Sequence, residues 1–381
     1  MVLRVAIVGC GKIADQHVQA INRIGVAEIV GVCDREPLMA AQLADRFGIA
    51  GRFADVAELM RAAKPEVVHV TTPPQSHRDI AAQCLEAGAH VYLEKPFTVT
   101  TPEAIDVIER AGRAGRLVAA GHNFQFSFEM LRLRQLLAGG FLGGRPIHVE
   151  SYWSYDLGDA SYVGPLLGDP GHWVRRLPGG LLHNIISHGI ARIAEFIDDE
   201  LTELHASVHQ SERLRLMGGQ EVMDELRVVM RDRAGTTASF CFTTQVNPGL
   251  NQLRIFGPKN SVTVDFTNGS VIPHRGVDYK SYLTYIVPPY TYAKVHLANA
   301  WRNTMDILRW RLYQDAGLTE TVRRFHAAAA GGGVPPIPYR EVLLTSTIMD
   351  RIFDQMRRPA AAEAPVSNGP AARAGKVAAG A

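Results

Sequence analysis

A glycine-rich turn near the start of the chain carries the first residues whose spacing suggests a chemistry. Gly9, Gly11 and Ala14 form the pattern G-x-G-x-x-A between an apolar run, Val5–Gly9, and a segment with helical spacing, Lys12–Ile24. The first glycine permits a tight turn, the second lets a pyrophosphate approach the backbone, and the alanine keeps the helix close to the strand. The helix amino terminus favours the anion. The pattern predicts a dinucleotide site, with a turn that binds nothing as the structural alternative.

Asp34 and Arg35 bear on which dinucleotide the turn prefers. Asp34 stands at the end of the second apolar run, 23 residues beyond Gly11, where a carboxylate accepts hydrogen bonds from ribose hydroxyls. The same carboxylate repels a 2′-phosphate, whereas the neighbouring Arg35 is a residue that accommodates one. We therefore predict NAD, with NADP as the alternative, and we assign Lys12 and Ile13 of the turn to the same site.

Two more segments with chemical potential follow later apolar runs. The first is the loop Thr71–His77, with sequence TTPPQSH, in which two prolines fix the backbone. The second is Glu94–Pro96, which places Lys95 at a strand end. Ligands of open parallel sheets lie at the carboxyl ends of the strands, so both segments point to a ligand site there. A rigid turn with Ser76 capping the next helix, and a surface ion pair between Lys95 and Glu94, are the structural alternatives.

The elements that must position these residues fall into two patterns along the 381-residue chain. Up to about residue 120, continuous apolar runs alternate with helical segments, which predicts an α/β Rossmann domain with a doubly wound parallel sheet. From about residue 125, strand-like segments with period two follow one another, which predicts an α+β domain with an open, mainly antiparallel sheet. The predicted boundaries are 1–123 and 124–357, with an alanine- and proline-rich disordered tail at 358–381.

Helices are predicted in the second region at Leu181–Phe196, Leu297–Tyr313, Thr319–Ala330 and Arg340–Met356.

Composition excludes several classes of protein. Hydrophobic residues make up 46%, so the chain is neither mainly disordered nor fibrous. The 40 basic and 38 acidic residues nearly balance, so no nucleic-acid partner is indicated, and no apolar run reaches the ~18 residues of a transmembrane segment. Four widely separated cysteines, with neither a CxxC pair nor a disulfide pattern, favour a reducing cytoplasm: Cys10, Cys33, Cys84 and Cys241.

The combination of these motifs resembles the glucose-fructose oxidoreductase/inositol dehydrogenase (Gfo/Idh/MocA) family. The resemblance extends from the glycine turn through the Thr71–His77 loop and Glu94–Pro96 to Gly179–His188, and it covers roughly residues 3–270. It implies an NAD(P)-dependent oxidoreductase acting on a sugar, a cyclitol or a derivative. It also implies a homodimer or homotetramer associated through the second domain.

The resemblance assigns two catalytic residues. Lys95 matches the family's active-site lysine, which contacts the nicotinamide ribose and a substrate hydroxyl, and His188 matches the histidine usually assigned as acid/base. A histidine with an ordinary pKa of about 6.5 accepts a hydroxyl proton at neutral pH. This chain has Asn184 where many members have aspartate, and an asparagine cannot raise the histidine pKa as a carboxylate does. His183 is the second-choice base, with a buried structural histidine as the alternative.

Further substrate and cofactor residues complete the expectation. The predicted substrate residues are Asn123, Tyr155, Trp173, Arg175, His183 and Asn184, although packing explains the aromatic and arginine residues of the Tyr152–Arg176 loop equally well. The predicted cofactor residues are Gly9, Gly11, Lys12, Ile13, Asp34, Arg35, Thr72, Pro73, Pro74, His77, Glu94, Lys95 and Asn123. No metal site is predicted.

The leading hypothesis is a cytoplasmic NAD(P)-dependent dehydrogenase that oxidises a secondary hydroxyl of a sugar or sugar derivative to a ketone, or runs the reverse. A nucleotide-activated sugar is one candidate substrate. The alternatives are an NAD-dependent glycosidase that acts by transient oxidation and elimination, and a dinucleotide-sensing regulatory protein. The aromatic and basic segment Asp278–Tyr313 contains one apolar stripe at helical spacing, formed by Leu297, Trp301, Met305, Leu308 and Leu312. For this segment we expect packing against the sheet or a neighbouring subunit, with a membrane surface or a glycan-assembly complex as alternatives.

Overall fold

Six parallel strands and the helices that cross between them form the amino-terminal part of the computed structural model. The strand order is β3-β2-β1-β4-β5-β6. The strands are β1 (Leu3–Val8), β2 (Ala27–Cys33), β3 (Arg52–Phe53), β4 (Val67–Val70), β5 (His90–Leu93) and β6 (Val118–Ala120). The helices are α1 (Lys12–Ile24), α2 (Pro37–Phe47), α3 (Val56–Ala63), α4 (His77–Glu86) and α5 (Thr101–Arg113). Strand β4 is buried at every position, as the continuous apolar runs predict for a sheet covered on both faces.

Local chemistry sets the ends of these helices. The side chain of Asp55 caps α3 by accepting from the backbone N–H of Glu58 at 2.9 Å. Gly25 and Gly48 end α1 and α2 in the left-handed conformation, with φ of 70° and 67°. The caps therefore end these helices sharply. Because the six strands are parallel, their carboxyl ends lie at one edge of the sheet.

A second sheet of seven strands follows. Its order is β13-β12-β11-β7-β10-β9-β8, and all pairs are antiparallel except the parallel pair of β7 and β10. Its strands are β7 (His148–Ser154), β8 (Leu201–His209), β9 (Glu225–Asp232), β10 (Thr237–Thr243), β11 (Asn251–Phe256), β12 (Asn260–Asp265) and β13 (Ser270–Arg275). Burial alternates along β7, so one face of this strand is buried and the other is half-buried. The predicted open, mainly antiparallel sheet is confirmed.

The remaining helices cover the second sheet and connect it to the first. They are α6 (Phe128–Ala138), α7 (Gly180–Ile185), α8 (Ser187–Ala194), α9 (Glu212–Leu216), α10 (Leu283–Leu308), α11 (Ala316–Gly331) and α12 (Tyr339–Arg357). Short 3₁₀ turns occur at Pro74–Ser76, Asn123–Phe126 and Trp173–Arg176. The structure describes residues 2–156, 169, 171–217, 222–280, 282–311, 313 and 315–357. The predicted tail at 358–381 lies outside the described residues, as does most of the loop between Asp156 and Asp169.

Several elements differ from the sequence prediction. The single helix predicted over Leu181–Phe196 is two helices, α7 and α8, separated by a turn at Ile186. Strand β13 escaped prediction because Pro273 interrupts its pattern. A proline cannot donate to a ladder, but β13 lies at the edge of its sheet, where a missing N–H is tolerated.

The helix α11 returns to the first domain. Leu318, Val322 and Phe325 on this helix are fully buried in the same apolar cluster as residues of β1 and α1. The boundaries 1–123 and 124–357 remain our proposal, with the addition that the chain recrosses from the second unit to cover the first. This recrossing brings side chains of α11 next to the Rossmann sheet.

The long helix α10 is mostly exposed. Asn299 is its one buried residue, and Leu297, Trp301 and Leu308 of the predicted apolar stripe are 72%, 68% and 64% exposed. The segment contacts the sheet through the opposite side of α10, where Asn299 forms hydrogen bonds with the backbone of Val271 on β13. Packing of the exposed stripe against a neighbouring subunit stays a prediction. Leu312, the last predicted member of the stripe, lies outside the described residues. Within the described ranges, no helix combines the length and hydropathy needed to cross a membrane.

Candidate active site

A cavity of about 800 Å³ lies at the carboxyl edge of the first sheet, between the glycine turn and the loop that follows β4. Gly9 has φ of +96°, and a Cβ added there would lie 2.7 Å from the backbone nitrogen of Thr72. A Cβ added at Gly11 would meet nothing within 4 Å, so the backbone is open to the cavity at this point. The turn therefore fits a pyrophosphate, as the sequence predicts.

Asp34, which lines this cavity, is held in place by backbone donors. Its Oδ2 accepts from the N–H of Cys10 at 2.7 Å and its Oδ1 accepts from the N–H of Glu36 at 2.9 Å. Asp34 and Arg35 both line the cavity. A fixed carboxylate beside the glycine turn matches the hydroxyl-bearing ribose of NAD.

The predicted cofactor residues divide into those that line the cavity and those that do not. Gly9, Gly11, Asp34, Arg35, Thr72 and Pro73 line it, whereas Lys12, Ile13, Pro74, His77, Glu94, Lys95 and Asn123 are not among its lining residues. His77 is fully buried, and its Nε2 lies 2.8 Å from the carbonyl oxygen of Thr72 and its Nδ1 3.1 Å from that of Phe97. His77 therefore holds the Thr71–His77 loop in place without lining the cavity.

Lys95 connects the edge of the first sheet to helix α7. It follows β5, and its Nζ lies 3.2 Å from the carbonyl oxygen and 3.4 Å from the side-chain Oδ1 of Asn184, on α7. Burial lowers the pKa of the Lys95 ammonium, and the negative charge of Glu94 opposes that shift. The amino group is thus placed where the strand edge of the first unit meets a helix of the second.

His188 lies in an aromatic box near this lysine. Its ring is stacked on Trp153 at 5.6 Å and meets the edge of Phe124 at 4.6 Å, and it is 8% exposed. Burial lowers the pKa of His188 well below its usual value, and the charges of Lys95, His122 and Arg192 add to the effect. The imidazole is therefore neutral at physiological pH and able to accept a proton.

Arg192 is the main residue of this region that sequence reasoning missed. It is fully buried, four residues after His188 on α8, and its guanidinium lies 3.5 Å from the ring centroid of Phe266. Its Nη1 donates to Asn251 at 2.7 Å, while Nε and Nη2 have no partner among the described residues. Burial lowers its pKa to about 9. The available signal was an arginine four residues after His188, on a helix buried at every position.

His122 is a second missed residue. It follows β6, is 2% exposed, and lies with its ring centroid 6.2 Å from that of His188. Burial lowers the pKa of His122 to about 4. The ring is therefore a neutral neighbour of the candidate base.

His183, the second-choice base, is placed elsewhere. Its ring stacks on Phe353 at 4.6 Å, and it lines a cavity of about 10 Å³ with His122 and Ser187. Burial lowers the pKa of His183 to about 4. The structure therefore gives this histidine the surroundings of a packed core residue.

The predicted substrate residues do not come together at one place. Trp173 lines the dinucleotide cavity, and its carbonyl oxygen accepts from Gln75 at 3.0 Å, so the second unit covers the cofactor site there. Tyr155 packs against the core of the second sheet, and Arg175 is half-buried in the turn Trp173–Arg176. Asn123 lines a second cavity of about 170 Å³. Of the six predicted substrate residues, Asn184 is the one that contacts Lys95.

Two family models match most of the chain. Residues 3–122 match the model described as "Oxidoreductase family, NAD-binding Rossmann fold". Residues 130–263 match the model described as "GFO/IDH/MocA C-terminal domain". The matched segments include the glycine turn, Lys95 and His188.

Curated relatives with related sequences are dehydrogenases. D-glucoside 3-dehydrogenase of Escherichia coli is 34% identical over 142 residues, which are 37% of this chain and 40% of that enzyme. D-apiose dehydrogenase of Paraburkholderia graminis is 23% identical over 357 residues, which are 91% of this chain and 86% of that enzyme. The chain thus spans less than half of the first relative's length.

Solved structures share the fold over nearly the whole chain. The WlbA dehydrogenase of Bordetella pertussis, in complex with NADH and UDP-GlcNAcA, superimposes with a TM-score of 0.73 at 19% identity, covering 93% of this chain and 95% of that one. UDP-N-acetylglucosamine 3-dehydrogenase GnnA of Acidithiobacillus ferrooxidans gives a TM-score of 0.69 at 18% identity, covering 93% and 97%. At such identities the likeness establishes the fold alone.

Proposed function

Because the chain belongs to the Gfo/Idh/MocA family of NAD-binding oxidoreductases, we propose that it oxidises a secondary hydroxyl of a sugar or sugar derivative to a ketone, or runs the reverse. The observation that carries this proposal is the position of Lys95, whose amino group contacts Asn184 next to a neutral, buried His188. Lys95 follows β5, so it lies at the same carboxyl edge of the first sheet as the dinucleotide cavity.

The residues supply the proton half of the reaction. The Lys95 ammonium donates a hydrogen bond to the oxygen of the reacting hydroxyl. This hydrogen bond favours deprotonation of the hydroxyl. His188 accepts the hydroxyl proton, because burial and the nearby cations keep its ring neutral beforehand. NAD, held by the turn at Gly9 and Gly11 and by Asp34, supplies the hydride acceptor when bound. In the reverse direction the protonated His188 returns the proton.

Asn184 takes the place of a carboxylate in this arrangement. Its side-chain oxygen accepts from Lys95 and directs the amino group without adding a negative charge. His188 therefore lacks an anionic partner on α7, which is consistent with its lowered pKa. The site retains a proton acceptor, but one that is weaker as a base than an unperturbed histidine.

A nucleotide-activated sugar is our finer proposal for the substrate. Arg176 lines the same cavity as Asp34 and Trp173, and Arg175 lies next to it in the chain. Arginine side chains at such a cavity suit phosphate groups. UDP-sugar dehydrogenases of the same fold, named above, support this choice.

We also propose a homo-oligomer and a reducing compartment. Exposed apolar residues on α10 support self-association, because Leu297 lies eleven residues from both Ile286 and Leu308, and all three are exposed. Two copies crossing antiparallel at Leu297 would place apolar residues opposite each other. The cytoplasm suits the cysteines, all of which are free thiols, and burial raises the pKa of Cys10 and of Cys84 to about 12.

The experiment is an assay of the purified protein with NAD or NADP and a panel of sugars and UDP-sugars. We expect NADH formation with at least one sugar, and a loss of at least about 100-fold in Lys95→Ala and His188→Asn. The control Lys259→Ala removes an exposed lysine and should leave turnover unchanged. Product release without net NADH would indicate a glycosidase, and cofactor binding without turnover would indicate a sensor. Either result would contradict the proposal.

A further inference from the structure

Four buried titratable groups form a continuous hydrogen-bonded chain behind the candidate active site. Glu94 Oε1 lies 2.9 Å from His17 Nε2, His17 Nδ1 lies 2.8 Å from His69 Nδ1, and His69 Nε2 lies 2.9 Å from His326 Nε2. The three histidines come from α1, β4 and α11, and none of the four residues is more than 6% exposed. The chain ends beside Lys95, because Glu94 Oε2 accepts from the Lys95 backbone N–H at 3.0 Å.

Counting protons shows which nitrogen donates in each contact of this hydrogen-bonded chain. Each contact needs one proton, and each neutral imidazole carries one, so three rings supply the three contacts. With Glu94 ionised, the proton of His17 must lie on Nε2, that of His69 on Nδ1 and that of His326 on Nε2. The atom left over is His326 Nδ1, which is buried and has no partner among the described residues.

The pKa shifts of His69 and His326 agree with neutral rings at these two positions, and that of Glu94 agrees with an ionised carboxylate. Burial lowers the pKa of His69 well below its usual value, and lowers that of His326 to about 4. Burial would raise the pKa of Glu94, but the hydrogen bond from His17 and the charge of Lys95 outweigh it and lower that pKa. Charge is therefore concentrated at the Glu94 end.

Other titratable groups lie around the hydrogen-bonded chain of Glu94 and the three histidines but are not links in it. Tyr92 stacks on His69 at 5.0 Å, and its hydroxyl has no partner among the described residues. The groups that act electrostatically on Glu94 or are acted on by it are Lys95 on its own segment, His17 on α1, His77 on α4, His122 after β6 and Tyr92 on β5. Asp315, before α11, is influenced by His17.

We propose that His326, His69 and His17 are a one-proton relay that sets the charge of Glu94 beneath Lys95. A proton from solvent that binds His326 Nδ1 releases the Nε2 proton of this ring to His69 Nε2. The Nδ1 proton of His69 then passes to His17 Nδ1, and the Nε2 proton of His17 forms the O–H bond of Glu94. Each ring ends neutral in its other tautomer, so exactly one proton is gained by the chain. The kinetic consequence rests on the proposed function, whereas the relay itself does not.

The consequence for Lys95 is electrostatic. In the ground state the negative charge of Glu94 favours the charged form of Lys95. This stabilisation is lost when the relay protonates Glu94. His69 and His326 are positioning residues, because they fix the tautomer of His17 without touching substrate or cofactor. The relay therefore couples α11 of the returning chain to the candidate catalytic lysine.

The direct test is ¹⁵N NMR of the full chain with labelled histidine, at neutral pH and without sugar. We expect three neutral rings with the protons at His17 Nε2, His69 Nδ1 and His326 Nε2, assigned through His17→Gln, His69→Phe and His326→Gln. A cationic ring at neutral pH, or a proton on His17 Nδ1, would overturn the proposal. Because no turnover is needed, this result is independent of whether the protein oxidises sugars.

A kinetic test separates tautomer control from proton transfer. His326→Gln retains a donor for His69 but cannot bind the extra proton, so we expect a near-normal plateau rate and an acid limb of kcat moved to lower pH. His69→Phe retains the stacking on Tyr92 but breaks the relay, so we expect kcat to fall about tenfold with little change in KM. His205→Gln, at an exposed position, should match the wild type. Unchanged pH profiles in both relay variants would refute the relay.

Discussion

The Nζ atom of Lys95 lies 3.2 Å from the backbone oxygen of Asn184, so a lysine at the edge of one sheet is fixed by a helix that covers the other. The contact bridges 89 positions of the chain. It couples the orientation of the two units to the position of the amino group. The side-chain Oδ1 of Asn184 lies 3.4 Å from the same Nζ, so substitutions at Asn184 test the electrostatics of the site.

Asn184→Asp should move the pH dependence of turnover. A carboxylate at this position favours both the Lys95 ammonium and the protonated form of His188, so both pKa values rise. Since the neutral ring is the base, the acid limb of kcat/KM for oxidation should move up by about one pH unit. The profile is measured with NAD and an oxidised sugar. Asn184→Ala, which adds no charge, should leave the acid limb in place, and an unmoved limb in Asn184→Asp would contradict the assignment.

Arg192→Met should also raise the acid limb, and without a large cost in stability. The guanidinium lowers the His188 pKa through its charge, and replacing a buried charge with an apolar side chain of similar size is often neutral or stabilising. We expect the free energy of unfolding to fall by no more than about 1 kcal/mol. Denaturant unfolding and the pH profile check both points. Arg132→Met, which breaks a partly buried ion pair with Asp306, is the comparison variant and should leave the profile unchanged.

Gly9→Ala and Gly11→Ala should separate folding from cofactor binding. A Cβ at Gly9 would clash with Thr72 and occupy a strained φ of +96°, so we expect a loss of about 1–3 kcal/mol in stability together with weaker NAD binding. A Cβ at Gly11 meets nothing within the protein but blocks the approach of a pyrophosphate. Thermal unfolding and NAD titration should therefore show normal stability and weak binding for Gly11→Ala. Normal NAD affinity in that variant would place the dinucleotide elsewhere.

Acidification should destabilise the protein before most carboxylates titrate. Burial lowers the folded-state pKa of His122, His183 and His326 to about 4, while in the unfolded chain each is near 6.5. The unfolded state therefore binds more protons below about pH 6.5, and stability present above that value is lost as the pH falls. Near pH 5 each ring should cost about 2 kcal/mol.

Denaturant unfolding at neutral pH and near pH 5 measures this loss. In His183→Asn the difference between the two pH values should shrink by about 2 kcal/mol relative to the wild type. His209→Asn changes an exposed histidine and should leave the difference unchanged. An equal loss in all three proteins would mean that His183 titrates normally when folded.

Trp301→Glu on α10 should disrupt self-association. In an antiparallel pair centred on Leu297, Trp301 faces Ala293 of the partner subunit, so a carboxylate would be buried against an apolar surface. Light scattering after size-exclusion chromatography should show a smaller assembly, whereas Arg302→Glu, one position round the helix, should not change it. Binding of the wild type to anionic vesicles, with the assembly size unaffected by Trp301→Glu, would instead identify a membrane surface.

The sequence alone was sufficient for the elements built from local patterns. The glycine turn, α1, the βα alternation and the position of Lys95 after β5 all follow from apolar periodicity and from turn residues, and the structure confirms the resulting fold class. These features depend on residues close together in the chain, whose spacing reflects burial on one or both faces of a single element. The same patterns indicated NAD through Asp34.

Only the tertiary structure decided how distant side chains meet. It placed His183 on Phe353 instead of in the site, divided the predicted helix at Ile186 and enclosed Arg192 among aromatic rings. The contact between His69 and His326 joins residues 257 positions apart, and no local period encodes it. Such contacts arise because packing between elements, notably the return of α11 to the first sheet, determines which buried groups share a low-dielectric interior.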